Sequence, residues 1–181
     1  MERLISWVDR VNRWVVSSLG LLLWAGVALV IVDILLRQIN LSFGGTDEIS
    51  GYLMAVVTAW GMGYTLTKLG HIRIEILRAR LGDRYKSLLD LISIITLTGV
   101  VSLIATKAWP VVATTLANSS TANTPLETPL WIVQVPWFAG WVWFSIVSWI
   151  YSLAAIRFYV QAESEKMSQI AGPTESLEEG L

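Results

Sequence analysis

Long apolar runs bounded by charge dominate the chain. Residues 14–32, 49–67 and 128–156 contain no Asp, Glu, Lys or Arg, and residues 91–106 are uncharged between Asp90 and Lys107. A helix needs about 20 mostly apolar residues to cross the hydrocarbon of a bilayer. The pattern therefore predicts an all-α integral membrane protein, a bundle of four transmembrane helices at 14–36, 49–69, 87–109 and 130–156. Loops fall at 37–48 and 110–129 on one side of the membrane and at 70–86 on the other. No run shows the period-two alternation of barrel strands.

Orientation follows from the basic residues. Arg3, Arg10 and Arg13 precede span 1, and Lys68, Arg73, Arg78, Arg80, Arg84 and Lys86 lie in or beside the loop after span 2. Arg157 and Lys166 lie in the tail, 157–181, leaving only Arg37 and Lys107 of the 13 basic residues on the opposite side. The positive-inside bias places segment 1–13, loop 70–86 and the tail in the cytoplasm. The first apolar run is longer than that of a secretory signal and lacks a small-residue cleavage pattern, so it reads as a retained span. From about residue 161 the chain is polar and acidic and is expected to be disordered.

Composition narrows the chemistry. Charged residues make up 15% of the chain, against about 25% in soluble domains. A net charge of −1 gives no basis for nucleic-acid binding, and the absence of cysteine excludes disulfides and thiolate metal sites. One histidine, His71, cannot by itself build a histidine-cluster metal site or a bis-histidine haem. No catalytic, substrate-binding or metal-binding set emerges, and no cofactor is expected in this chain.

Charges within membrane helices deserve a functional reading by default. Asp33 with Arg37, and Lys86 with Asp90, have the i,i+4 spacing of helical ion pairs. Both pairs lie near helix ends and read as interfacial anchors, as does Lys107, whose stem can snorkel. No span carries a charge at its midpoint, and no matched pair of Gly/Pro-interrupted segments marks a solute site.

Packing surface is plentiful. Gly51, Ala55, Ala59 and Gly63 recur every fourth residue in span 2, a small-residue ridge that lets helix backbones approach closely. The ridge can pack within the chain or against a partner. Of the ten tryptophans, Trp131 and Trp149 fit the interfacial belts. Trp137 and Trp141 fall nearer mid-membrane, either as lipid-facing bulk or as a surface for another subunit.

The most distinctive stretch brackets span 2. It opens Thr46-Asp47-Glu48-Ile49-Ser50, with Thr46 a candidate N-cap and the acidic pair favoured by the helix dipole. It closes Lys68-Leu69-Gly70-His71-Ile72-Arg73-Ile74-Glu75-Ile76-Leu77, where Gly70 can end the helix in a left-handed turn. A short surface helix is expected between spans 2 and 3, although its apolar residues fall on two faces: Ile74, Leu77 and Leu81 on one, Ile72, Ile76 and Ala79 on the other.

With Trp60-Gly61-Met62-Gly63 between its ends, this stretch resembles the DctQ-type small permease subunit of tripartite ATP-independent periplasmic (TRAP) transporters. Glu75 stands where that family often has aspartate. The resemblance implies a multi-pass protein of the bacterial inner membrane, the small subunit of a secondary symporter for carboxylate-bearing solutes, and not an enzyme. Its implied partners are a large DctM-type membrane subunit, which would carry the sodium and solute sites, a periplasmic DctP-type solute-binding protein, and membrane lipids. Asp47, Glu48, Gly70, His71, Arg73 and Glu75 would contact subunits or headgroups. Two other classes compete. A free-standing four-helix transporter would need a midspan acid that the spans lack, and a membrane enzyme or redox anchor would need more polar ligands.

Overall fold

A computed structural model describes residues 2–70, 82–161 and 170. Four helices account for nearly all of them: α1 (Glu2–Arg37), α2 (Thr46–Thr67), α3 (Asp83–Asn118) and α4 (Trp131–Val160). The surface helix expected between spans 2 and 3 lies outside the described residues.

Each helix outruns the apolar segment within it, because backbone hydrogen bonding continues past the edge of the hydrophobic run. In α3 the helix passes through Pro110 and persists to Asn118, well into the stretch expected as loop from residue 110. It ends where Ser119 adopts φ 49 and Ser120 N–H bonds the Thr115 carbonyl at 3.1 Å.

Two end signals differ from expectation. Gly45, with φ 82, is the N-cap of α2, and Thr46 is the first helical residue, its hydroxyl engaged elsewhere. At the other end Leu69, not Gly70, takes the left-handed conformation, with φ 55. Leu69 N–H bonds Leu66 O at 3.1 Å and Gly70 N–H bonds Thr65 O at 2.9 Å, the paired bonds of a Schellman ending. Leu69 tolerates the strained backbone because its side chain is buried.

The four helices pack mainly as successive neighbours. α2 packs on α1 and on α4, α4 packs on α3, and α1 touches α4 only narrowly. The result is an open row in the order α1–α2–α4–α3. Backbones approach closely at Gly140 of α4, where a Cβ would meet the Ala59 Cβ of α2 at 2.9 Å and its backbone carbonyl carbon at 3.0 Å; a Cβ on Gly26 of α1 would meet the end of the Leu53 side chain of α2 at 2.3 Å. Apolar contacts of Val8, Leu66, Ile94, Val101, Phe144, Val147 and Phe158 fill the spaces between neighbours. Ile170 is buried in the same cluster; the rest of the tail beyond residue 161 lies outside the described residues.

Candidate functional site

Among the described residues no group of three or more His, Asp or Glu side chains is placed to hold a metal ion. Polar chemistry is concentrated instead in four interhelical knots.

The first lies where α1 hands over to α2. Asp33 is 1% exposed. Its carboxylate accepts hydrogen bonds from Arg37 Nε at 2.8 Å, Ser42 Oγ at 2.9 Å, the Phe43 N–H at 2.8 Å and Thr46 Oγ1 at 2.6 Å. The i,i+4 pair with Arg37 is present, at 2.7 Å. More than an interfacial anchor, Asp33 gathers the last turn of α1, the connecting loop and the first residue of α2 onto one side chain. A charged acceptor with several donors is the arrangement that makes a buried carboxylate tolerable.

The acidic pair of α2 divides. Asp47 is exposed, whereas Glu48 is half-buried and accepts a hydrogen bond from Tyr52 Oη at 2.6 Å. The hydroxyls of Thr124, Tyr52 and Thr128 hold the Glu48 carboxyl below its ordinary range, against the opposing effect of burial. Thr124 and Thr128 belong to the α3–α4 loop, which the sequence left without a signature. That loop is a compact hairpin: Ala122 N–H bonds Thr128 O at 2.9 Å and Leu130 N–H bonds Ser120 O at 3.0 Å. Leu126 from its tip covers Gly45, where a Cβ would come within 2.5 Å. The α1–α2 and α3–α4 connections are thereby joined over the start of α2.

A second knot sits in the core. Asn12 of α1 is 0% exposed. Its amide donates to the Gly63 carbonyl of α2 at 3.1 Å and its oxygen accepts from Trp143 Nε1 of α4 at 2.8 Å. Here α1 reaches α4, and Trp7 meets the Trp143 ring edge-on at 6.2 Å.

The small-residue ridge splits along its length. Ala59 and Gly63 are buried within the chain, Ala55 is half-buried, and Gly51 is exposed with open space where a Cβ would stand. Trp60 beside the ridge donates from Nε1 to the Pro136 carbonyl at 2.9 Å. Trp141, expected either to face lipid or to meet another subunit, packs instead against Phe144 and the core cluster.

Hydroxyls form a third knot between α3 and α4. Thr98 Oγ1 lies 2.7 Å from Ser152 Oγ and donates within reach of the Ile94 carbonyl at 2.8 Å. Ser102 and Ser145 pair at 3.2 Å nearby, and Trp149 Nε1 donates to Ser102 at 3.0 Å. Near the start of α1, Asp9 pairs with Arg13 and, at 3.0 Å, with Lys68 at the close of α2. Gly70 is exposed there. His71, Arg73 and Glu75 lie outside the described residues.

Sequence reasoning missed Asn12, Gly140 and the Thr98–Ser152 pair. A lone amide about three turns inside α1, just before its apolar run, was the available signal, since an amide at a contact between membrane helices seeks a partner.

α1, α3 and α4 contain segments long and apolar enough to cross a membrane: Arg3–Arg37, Tyr85–Asn118 and Trp131–Val160. α2, of 22 residues, is not among them. Long apolar helices stitched by buried polar pins, with bulky side chains such as Trp14, Leu21, Trp24 and Leu35 turned outward, define a helical membrane protein. The family model for the DctQ component of tripartite ATP-independent periplasmic transporters matches residues 26–157, and the chain belongs to that family. It is therefore a component of a TRAP transporter, a family that works with other TRAP subunits. No curated protein and no solved structure matches the chain.

Proposed function

We propose that the chain is the small subunit of a sodium-coupled importer of carboxylate-bearing solutes, acting as a scaffold for a large DctM-type subunit that holds the sodium and solute sites. The observation that carries this reading is the open row α1–α2–α4–α3. A transporter working alone must surround its solute, and among the described residues the helices pack mainly as successive neighbours, with α1 and α4 meeting only narrowly at Asn12 and Trp143. The buried polar groups, from Asp33 to Asn12 and Thr98, are occupied by bonds between neighbouring helices. They hold the row together, and its broad apolar faces are free for lipid and for another membrane protein.

In this reading all four helices span the inner membrane with both termini cytoplasmic. The basic residues at the inner end support that orientation. α2 is flanked by α1 and α4, which reduces the apolarity it needs against lipid. The acidic pair and the hairpin loop then lie on the periplasmic side, where a DctP-type binding protein delivers solute. Co-expression with the large subunit and affinity capture through a tag on this chain tests the partnership. The two proteins are expected to elute together from detergent-solubilised membranes. Elution of this chain alone, under conditions that keep it folded, contradicts the proposal.

A further inference from the structure

We infer that the outward face of the first four turns of α1, carrying Arg3, Trp7, Arg10 and Trp14, binds the headgroups of anionic phospholipids. This rests on the membrane reading above and deepens it. At about 100° per residue, Arg3, Trp7, Arg10 and Trp14 fall within one narrow stripe of the helix. All four are exposed, Trp7 at 52% and Trp14 at 74%. Val8 and Asn12, the residues that bury α1 against its neighbours, lie on the opposite side.

Charge along α1 is divided in the same way. Arg13 is paired with Asp9, which also takes Lys68. Among the described residues Arg3 and Arg10 make no ion pair, so two guanidinium groups stand on the outward stripe without a carboxylate. Each offers the planar fork that matches a phosphate. The interleaved tryptophans have the apolar body and polar edge that suit the headgroup level of a bilayer.

Length places the stripe at that level. α1 has 36 residues and, at about 1.5 Å per residue, is roughly 54 Å long. The hydrocarbon is only about 30 Å thick, so several turns must lie in the headgroup zone. The same line of the helix continues from Trp14 to Leu21, which is 75% exposed. Cationic and aromatic at one end, purely apolar at the other, this face has the polarity profile of a phospholipid. It lies outside residues 26–157, so the family match does not supply it.

The test uses the full chain in mixed micelles of phosphatidylglycerol and phosphatidylcholine, with bound lipid counted by native mass spectrometry. Wild type is expected to retain phosphatidylglycerol in preference to phosphatidylcholine. Arg3→Gln combined with Arg10→Gln should weaken that preference by roughly fivefold per arginine removed. Arg3→Lys with Arg10→Lys should keep most of it. An equal affinity of wild type for both lipids, an unchanged preference in the glutamine variant, or a full loss in the lysine variant overturns the inference. If the glutamine variant loses the large subunit on affinity capture while its lipid preference is intact, the stripe is a protein interface instead. Orientation is read separately: the chain has no cysteine, so Ser6→Cys can be labelled with a membrane-impermeant maleimide in sealed vesicles. In right-side-out vesicles, labelling from the outer side refutes the cytoplasmic N-terminus and leaves the lipid measurement interpretable.

Discussion

Two buried polar side chains carry more of the structure than their neighbours. Asp33 accepts four donors from three successive segments. Asp33→Asn keeps the volume and removes the charge, leaving Thr46 buried and Arg37 uncompensated. Hydrogen bonds to charged groups are worth about 1.5–3 kcal/mol, so a loss near the middle of that range is expected in thermal unfolding of the detergent-solubilised protein. A double-mutant cycle with Thr46→Val should return non-additive losses, whereas additive losses would mean that the bond carries no coupling. Asn12→Ala removes the pin joining α1, α2 and α4 and strands the Trp143 Nε1 donor. Interhelical hydrogen bonds in membranes contribute roughly 0.6–1.7 kcal/mol, and a loss of that size is expected. Stability equal to wild type would show that the Asn12 bonds are replaced.

At this scale the sequence was only partly legible. The i,i+4 spacing of Asp33 and Arg37 announced their pairing, since both partners lie on one helix. Ser42 and Thr46 could not be foreseen, because a loop must fold back before they reach the carboxylate. Leu69 illustrates a different failure. Gly70 is the residue whose backbone favours a left-handed turn, yet burial of the Leu69 side chain outweighs its local strain.

At the scale of elements, the ridge on α2 has two ends with different surroundings. Ala59→Leu must push against Gly140 and its helix, and overpacking of this kind costs about 1–3 kcal/mol. Gly140→Ala meets Ala59 Cβ at 2.9 Å and its backbone carbonyl carbon at 3.0 Å, so it is expected to be similarly harmful. Gly51→Ala has open space and should leave the stability of the isolated chain unchanged or improved. The comparison is read in unfolding midpoints of the purified variants, and equal effects at residues 51 and 59 would contradict the packing described. A four-residue spacing of small side chains showed that something approaches α2 closely. It could not show what, because Gly140 belongs to no four-residue repeat of small side chains in its own helix, with Pro136 and Phe144 one turn to either side.

Helix existence was legible for a simple reason. Apolar runs of this length have no other stable form in lipid. Helix ends were less so, since α1 and α3 continue into polar sequence where composition gives no stop signal. The order of the row was not legible at all. It depends on Asn12, Gly26 and Gly140 meeting residues far away in the chain, and periodicity within one helix carries no information about such meetings.

For the whole molecule, the row is proposed as a support and the motif from Gly70 to Glu75 as a point of attachment. His71→Ala with Arg73→Ala is expected to weaken assembly with the large subunit without preventing membrane insertion. Yield of the captured complex, compared with the amount of this chain in the membrane fraction, measures that effect, and an unchanged ratio removes the motif from the interface. Most direct is uptake of a labelled carboxylate into sodium-energised proteoliposomes, with purified binding protein present. Liposomes holding the large subunit and this chain together should accumulate the solute, and those holding either protein alone should not. Accumulation by this chain without the large subunit would contradict the scaffold account.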